Sequence, residues 1–311
     1  MRKVLLGNSG VEVSIFCLGA MYFGTRNDKE TSYQLLDQYV AAGGSFIDTA
    51  NIYSRWVPGF VGGESEILLG EWMRERKNRN QLFLASKVGF EYPGVTRGLK
   101  ARQIEEECHK SLKRMGIATI DLYYAHVDDR NTPMEETLAA FDRLVKAGKV
   151  RLIGASNFLA WRLEEARWMS QTHDWAKYCC IQQRHTYVRP RAGTSFDPQV
   201  AANDDLLDYC RARGITMLAY SPLLNGAYSR ADRSFQEQYV GVDTDTRLAA
   251  LKKVAQEVGA TVNQIVLAWM IHSDPCVIPL IAASTQAQMQ ENLDTLKIKL
   301  SAEQMEYLNK A

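Results

Sequence analysis

Short apolar runs of strand length alternate with amphipathic stretches of helix length eight times along this chain, with no linker between the repeats. The strand-like runs are Ile15 to Ala20, Phe46 to Asp48, Leu82 to Lys87, Ile120 to His126, Val150 to Ser156, Cys179 to Gln183, Ile215 to Tyr220 and Cys276 to Ile281. Between and after them, helical spacing predicts helices over Lys29 to Ala42, about Gly63 to Arg76, Ala101 to Met115, and Pro133 to Ala147-Gly148. Further helices are predicted over Ala160 to Ser170, Asp204 to Arg213, Thr246 to Val258, Thr261 to Ile271, and about Thr285 to Leu296. Gly43-Gly44 and Gly116 are good helix stops, and Pro133 suits a first helical turn. Asn8-Ser9-Gly10, between two short extended stretches, predicts a hairpin before the main fold. Several strands are unbroken apolar runs, as expected when both faces are covered.

Eight such units argue for one α/β domain over residues 1–311, a (β/α)8 barrel of the TIM type with an N-terminal β-hairpin and extra C-terminal helices. A doubly wound sheet is the competing architecture. No G-x-G-x-x-G follows the first strand, so a dinucleotide-binding sheet of that kind lacks its main mark.

Composition narrows the function. The chain has 311 residues, ordinary for a single barrel, and 46% apolar residues supply a full core. A net charge of +1 offers no broad electrostatic reason to bind nucleic acid or an acidic membrane. Six scattered cysteines without a C-x-x-C pair favour reduced thiols. The apolar run after Met1 is too short for a signal peptide, and no window approaches the roughly 18 residues of a membrane span. The expectation is a cytoplasmic protein acting on small molecules.

Three of the strands end on residues that packing does not call for: Asp48, Lys87 and His126, with Tyr53 five residues past Asp48. Titratable side chains at several strand ends are expected where those ends surround one active site. Taken singly, each has a bland role as cap, rim packing, snorkelling lysine or structural histidine.

The surrounding strings carry a resemblance. Leu18-Gly19-Ala20-Met21-Tyr22-Phe23-Gly24, Phe46-Ile47-Asp48-Thr49-Ala50 and Gly62-Gly63-Glu64-Ser65-Glu66 resemble aldo-keto reductase signatures. So do Gly148-Lys149-Val150-Arg151, Gly154-Ala155-Ser156-Asn157-Phe158, Ala219-Tyr220-Ser221-Pro222-Leu223 and Glu291-Asn292-Leu293. The strings run in order over essentially the whole chain. The resemblance implies a barrel that binds a nicotinamide cofactor across its C-terminal mouth, with a catalytic tetrad on Asp48, Tyr53, Lys87 and His126.

The residue types suit carbonyl reduction. A proton must reach the oxygen that becomes an alkoxide, and a free phenol with a pKa of about 10 is a poor donor near neutrality. A Lys87 ammonium about 4 Å away would interact by roughly 4 kcal/mol at an effective dielectric of 20. That predicts a Tyr53 phenol lowered by up to ~3 units before desolvation opposes it. Asp48 would hold Lys87 charged, and His126 would orient the carbonyl and donate to the developing oxyanion.

The resemblance further implies that Ser156, Asn157 and Gln182 hold the nicotinamide carboxamide and that Tyr220 stacks on its ring. Ser221, Leu223, Asn225 and Gly226 belong to a loop expected at the pyrophosphate. Ser284-Thr285 would open the last barrel helix, whose amides suit a phosphate; Gln288 on that helix is a further cofactor candidate, and Glu291 and Asn292 match adenine-contacting positions. One departure stands out: Ala282 to Gln288 carries no Arg or Lys, where many members grip the 2′-phosphate of NADP. Family habit favours NADP(H) and this segment NAD(H); the balance tilts slightly to NADP(H).

Tyr22, Trp56, Phe90 and Tyr92 are candidate walls of the substrate pocket, suited to a sugar or an aromatic ring. The long segments Thr186 to Asn203 and Asn225 to Thr244 would border the same mouth and carry specificity. The five histidines show no metal-binding spacing, so no metal is expected. Glu105-Glu106-Glu107 is expected to be a solvated helix face, and Cys179-Cys180 strand packing. The sequence thus predicts an NAD(P)(H)-dependent oxidoreductase of aldehydes, ketones or sugars; a cofactor-binding, redox-sensing subunit is the alternative. Oligomeric state stays open.

Overall fold

The computed structural model describes residues 1–311. β1 (Lys3–Leu5) and β2 (Glu12–Ser14) form an antiparallel pair ahead of the barrel. Eight parallel strands then close on themselves: β3 (Cys17–Gly19), β4 (Phe46–Asp48), β5 (Phe83–Val88), β6 (Ile120–Ala125), β7 (Val150–Ser156), β8 (Tyr178–Arg184), β9 (Thr216–Tyr220) and β10 (Val277–Ile281), with β10 beside β3. Between them run α1 (Lys29–Ala41), α2 (Glu64–Arg76), α3 (Ala101–Met115), α4 (Met134–Lys146), α5 (Ala160–Thr172) and α6 (Asp204–Arg213). α7 (Val242–Val258) and α8 (Val262–His272) fill the β9–β10 connection, and α9 (Gln286–Asp294) and α10 (Ala302–Lys310) follow β10. The barrel, hairpin and additional C-terminal helices are those expected.

The hairpin closes the end of the barrel away from the strand C-termini. Gly7 donates its amide to Thr216 Oγ1 at 2.6 Å, at the start of β9. A Cβ on Gly7 would stand 2.1 Å from the Cys179 carbonyl oxygen, and its φ is +54°, so only glycine fits this approach. The turn at Gly43-Gly44 has a packing cause as well. Tyr39 of α1 sends its hydroxyl to within 2.7 Å of the Phe16 carbonyl oxygen and 2.8 Å of that of Phe46. Its ring therefore lies over Gly44, where a Cβ would come within 2.3 Å of it.

Cap chemistry sets several helix ends. Asp28 accepts from the Thr31 amide at the start of α1, and Thr261 and Gln264 form a reciprocal capping box at the start of α8. Gly116 ends α3 in the left-handed conformation.

Two expectations need correction. α7 starts at Val242 rather than Thr246, and Leu224–Gly226 and Glu237–Tyr239 form single helical turns, so the stretch after β9 is less loop than its composition implies. Glu107 is not on a solvated face. It is 1% exposed, because α3 buries Ile104, Cys108, Ser111 and Leu112 against the barrel and Glu107 shares that stripe.

Candidate active site

Parallel pairing places every strand C-terminus at one mouth. Asp48 lies in register with Gly19 of β3 and Ala85 of β5, and Lys87 with Tyr124 of β6. His126 follows β6 directly, its amide bonded to the Val88 carbonyl at 2.8 Å. The β4–α2 loop folds back so that Tyr53 returns over Asp48.

The four side chains meet. Lys87 is 0% exposed, as is Asp48, and the two form an ion pair. The same ammonium donates to the Thr49 carbonyl at 2.9 Å and to Tyr53 Oη at 2.5 Å. Tyr53 Oη also lies 3.2 Å from Asp48 Oδ1. His126 faces the phenol edge to face, with ring centroids 6.1 Å apart.

Electrostatics correct the expected direction for Tyr53. Burial, followed by the Asp48 carboxylate beside it, pushes the phenol well above its ordinary value. Lys87 cannot reverse this, because its own charge is largely met by Asp48 and burial pulls the ammonium down. The phenol is therefore held protonated, as a proton donor must be before it acts. Burial and the Lys87 charge hold His126 far below its usual value, so its imidazole is neutral and can still both donate and accept. His126 Nδ1 is buried without a partner.

Around this centre stand the expected wall residues. Phe90 packs edge to face on His126 at 4.7 Å, Trp56 on Tyr53 at 6.3 Å, and Tyr22 on Trp56 at 6.4 Å. Tyr92 packs against the small cluster of Ala50, Ile52 and Tyr53, and its hydroxyl donates to Glu107 Oε2 at 2.6 Å.

The residues expected to hold the nicotinamide converge on the same mouth with much of their bonding spent internally. Asn157 has a left-handed backbone (φ +61°) and donates from Nδ2 to the His126 carbonyl at 2.9 Å and to Ser156 Oγ at 3.2 Å. Its Oδ1 accepts from Tyr220 Oη at 2.7 Å and from the Val200 amide at 3.1 Å. Gln182 donates to Asp48 Oδ2 at 2.9 Å. Asn157 thus braces His126 and Tyr220.

In the loop after β9, Ser221, Leu224, Asn225 and Gly226 have left-handed backbones, whereas Leu223 does not (φ −105°). The turn is closed by its own bonds, the Leu224 amide to the Ser221 carbonyl at 3.2 Å and the Gly226 amide to the Leu223 carbonyl at 2.8 Å.

At α9, Thr285 accepts from the Gln288 amide, and Gln288 Oε1 accepts from the Ser284 amide at 2.8 Å, so the first turn is capped from within. Glu291 accepts from Thr261 Oγ1 at 2.7 Å, and Asn292 is buried, donating to the Ala282 carbonyl at 3.0 Å. These residues thus tie the start of α8 to α9 and the end of β10.

Sequence reasoning missed several supporting groups. Gln183 Oε1 accepts from the Asn157 amide at 2.8 Å and its Nε2 donates to the Phe158 carbonyl at 2.9 Å, fixing the turn that carries Asn157. Arg184, buried at the end of β8, bonds Tyr239 Oη at 3.0 Å, Gln199 Oε1 at 2.8 Å and Gln236, stapling the two long mouth segments together. Arg184 gave a signal: it ends a strand as Lys87 does. Glu107 accepts from Asn51 Nδ2 at 2.8 Å and from Tyr92, so one carboxylate ties together the β4–α2 and β5–α3 loops. Its helical spacing from Ile104 and Ser111 marked it as inward-facing.

The model of the Aldo/keto reductase family matches residues 16–311. Norsolorinic acid reductase stcV of Emericella nidulans is 32% identical, with the alignment covering 98% of this chain and 79% of that protein. An uncharacterized oxidoreductase of Bacillus subtilis, YrpG, is 30% identical over 99% of this chain and 95% of its own length. An aryl-alcohol dehydrogenase [NADP(+)] of Phanerodontia chrysosporium is 28% identical over 99% and 85%. The crystal structure of the thermostable aldo-keto reductase Tm1743, solved with the inhibitor epalrestat, superposes with a TM-score of 0.79 at 30% identity, covering 100% of this chain and 99% of that one.

Proposed function

The chain belongs to the aldo/keto reductase family, whose members are oxidoreductases, and from that premise we propose that it reduces aldehydes and ketones with a nicotinamide cofactor, using Tyr53 as the proton donor. The observation that carries the reading is the Lys87 ammonium, 2.5 Å from Tyr53 Oη while paired with Asp48 inside a dry barrel end.

A bound reduced nicotinamide supplies the hydride. Each remaining part belongs to this chain's own residues. His126, neutral, donates a hydrogen bond to the carbonyl oxygen and fixes its direction. Tyr53 gives its proton to that oxygen as it becomes an alkoxide. Lys87 stabilises the phenolate left behind, an anion formed where water is excluded and a nearby cation counts for most. Asp48 keeps Lys87 aimed, and Gln182 keeps Asp48 aimed. In the alcohol-oxidising direction the same groups run in reverse.

Ser156, Gln182 Oε1 and Tyr220 are the residues proposed to meet the nicotinamide; Ser221, Leu223, Asn225 and Gly226 the pyrophosphate; Ser284, Gln288, Glu291 and Asn292 the adenosine. NADP(H) remains slightly favoured, in keeping with the NADP(+) named for the aryl-alcohol relative, although Ala282 to Gln288 offers no cation. Tyr22, Trp56 and Phe90 give the pocket flat apolar walls, which favour an aromatic carbonyl over a sugar. Two relatives named for norsolorinic acid and aryl alcohols point the same way.

The test is Tyr53→Phe, with cofactor binding followed by fluorescence and turnover by NADPH and NADH oxidation on aryl, alkyl and sugar carbonyls. Binding without turnover is expected. Full turnover in the variant would remove Tyr53 from the reaction, and tight binding with no turnover by the unaltered protein on any carbonyl would favour a redox-sensing subunit instead.

A further inference from the structure

Most arginines of this protein are spent on carboxylates or carbonyls. Arg26, Arg74 and Arg97 alone make neither a hydrogen bond nor an ion pair, and two of these, Arg26 and Arg97, stand over aromatic walls of the pocket. The Arg26 guanidinium lies 4.5 Å from the ring centre of Tyr22, and that of Arg97 lies 5.7 Å from Phe90. Phe90 in turn lies 4.7 Å from His126. The two legs, 5.7 Å and 4.7 Å, set an upper limit of about 10.4 Å between the Arg97 charge and the imidazole that would hold the carbonyl. Arg26 is separated from Tyr53 by two ring-to-ring steps instead of one.

The β5–α3 loop that carries Phe90 and Arg97 is fixed at three levels. The Gly98 amide bonds the Gly89 carbonyl at 2.9 Å and closes the base. Tyr92 and Val95 exchange amide-to-carbonyl bonds of 3.0 and 2.8 Å near the tip. Tyr92 Oη anchors the inner side on Glu107, whose carboxylate Lys110, Tyr92 and Asn51 hold below its usual range despite its burial. Neither carboxylate of the neighbouring segments pairs with Arg97: Glu91 pairs with Arg55 at 2.8 Å, and Asp129, still charged, accepts from the amides of Leu99 and Asn131. An exposed guanidinium with no ion pair, on a loop tied at base and tip and one ring away from the carbonyl site, is placed to read charge.

We propose that Arg97 is a specificity-determining residue that selects aromatic carbonyl substrates bearing an anionic group, a carboxylate or ionised phenol, at the end of the ring opposite the carbonyl. With the carbonyl on His126 and the ring against Phe90, that group arrives at the guanidinium, which offers it two parallel N–H donors. This rests on the carbonyl-reductase reading above.

The test compares 4-formylbenzoate with its methyl ester, which keep the reacting aldehyde and differ in charge. In the unaltered protein the ratio of their kcat/KM values favours the carboxylate. Arg97→Leu, which keeps a stem on Phe90, lowers that ratio about tenfold; Arg97→Lys lowers it less. Raising salt shrinks the ratio in the unaltered protein and leaves that of Arg97→Leu nearly fixed. A ratio that stays within twofold in Arg97→Leu, or that collapses in Arg26→Leu instead, overturns the assignment while leaving carbonyl reduction intact. Failure of the unaltered protein to reduce either aldehyde would sink the carbonyl reading, and the assignment with it.

Discussion

Gln182 and Asp48 stand 134 residues apart in the chain and 2.9 Å apart in the fold, the amide of one donating to the carboxylate oxygen that Lys87 leaves free. Closure of the barrel brings the end of β8 across to the end of β4. The buried carboxylate therefore has a donor on each oxygen, which is what allows it to remain charged without water.

Gln182→Leu should leave Asp48 Oδ2 buried and unmet, at a cost of about 1–3 kcal/mol. Turnover should fall further than stability, since Asp48 would then be free to swing from Lys87. Urea unfolding alongside kcat measurement distinguishes the two effects; an active, equally stable variant would make the contact incidental.

Lys87→Met breaks a fully buried pair and should cost about 3–5 kcal/mol, because Asp48 is left charged without its cation. The double change Asp48→Asn with Lys87→Met should recover most of that stability and none of the activity. Thermal unfolding of the three variants reads the first point and carbonyl turnover the second.

The pH profile of reduction follows from two shifts. Tyr53 is held protonated well above its ordinary value, so its proton is present through neutrality and the reductive kcat should decline only in the alkaline range. His126 is held neutral far below its ordinary value, so no acid limb from this histidine should appear near pH 6.5. An inflection in kcat close to pH 6.5 in the unaltered protein, absent in His126→Gln, would contradict the assigned imidazole state.

Stability has its own pH dependence through His185. This ring stacks on Trp269 at 5.5 Å, and burial, aided by Arg247, lowers its pKa to about 4. The unfolded chain binds the proton more readily, so the contribution is complete above about pH 6.5 and is lost as pH falls toward the folded value. The melting temperature should drop across that window, and His185→Gln should flatten part of the drop. An unaltered slope in the variant would assign the acid lability elsewhere.

Gly154 tests packing behind the site. A Cβ there would come within 2.7 Å of the Tyr124 ring and 2.9 Å of Cys180 Sγ, with no backbone strain to confuse the result. Gly154→Ala should cost about 1–3 kcal/mol by overpacking β7 against its neighbours; a variant melting at the same temperature would mean the barrel relaxes freely.

The alternation of apolar runs and amphipathic helices determined the barrel, since period-two and period-3.6 patterns leave few ways to bury both sets of faces. Because all strands of a parallel barrel end at one mouth, the same pattern brings Asp48, Lys87 and His126 together. Local signals did less well where a side chain's neighbours come from distant strands. For Glu107, helical spacing from Ile104 and Ser111 marks the inward face, but no local signal identifies Asn51 and Tyr92 as its partners. The Tyr53 shift was read with the wrong sign because the cation was visible in the chain, but the burial opposing it was not.

The tertiary structure alone decided that Asn157 braces His126 and Tyr220, that Gln182 completes Asp48, and that Arg97 stands over Phe90 without an ion pair. Residue type and strand position follow from short-range physics. Desolvation and the pairing of charges depend on which distant atoms arrive at the same place, and only the closed barrel brings them there.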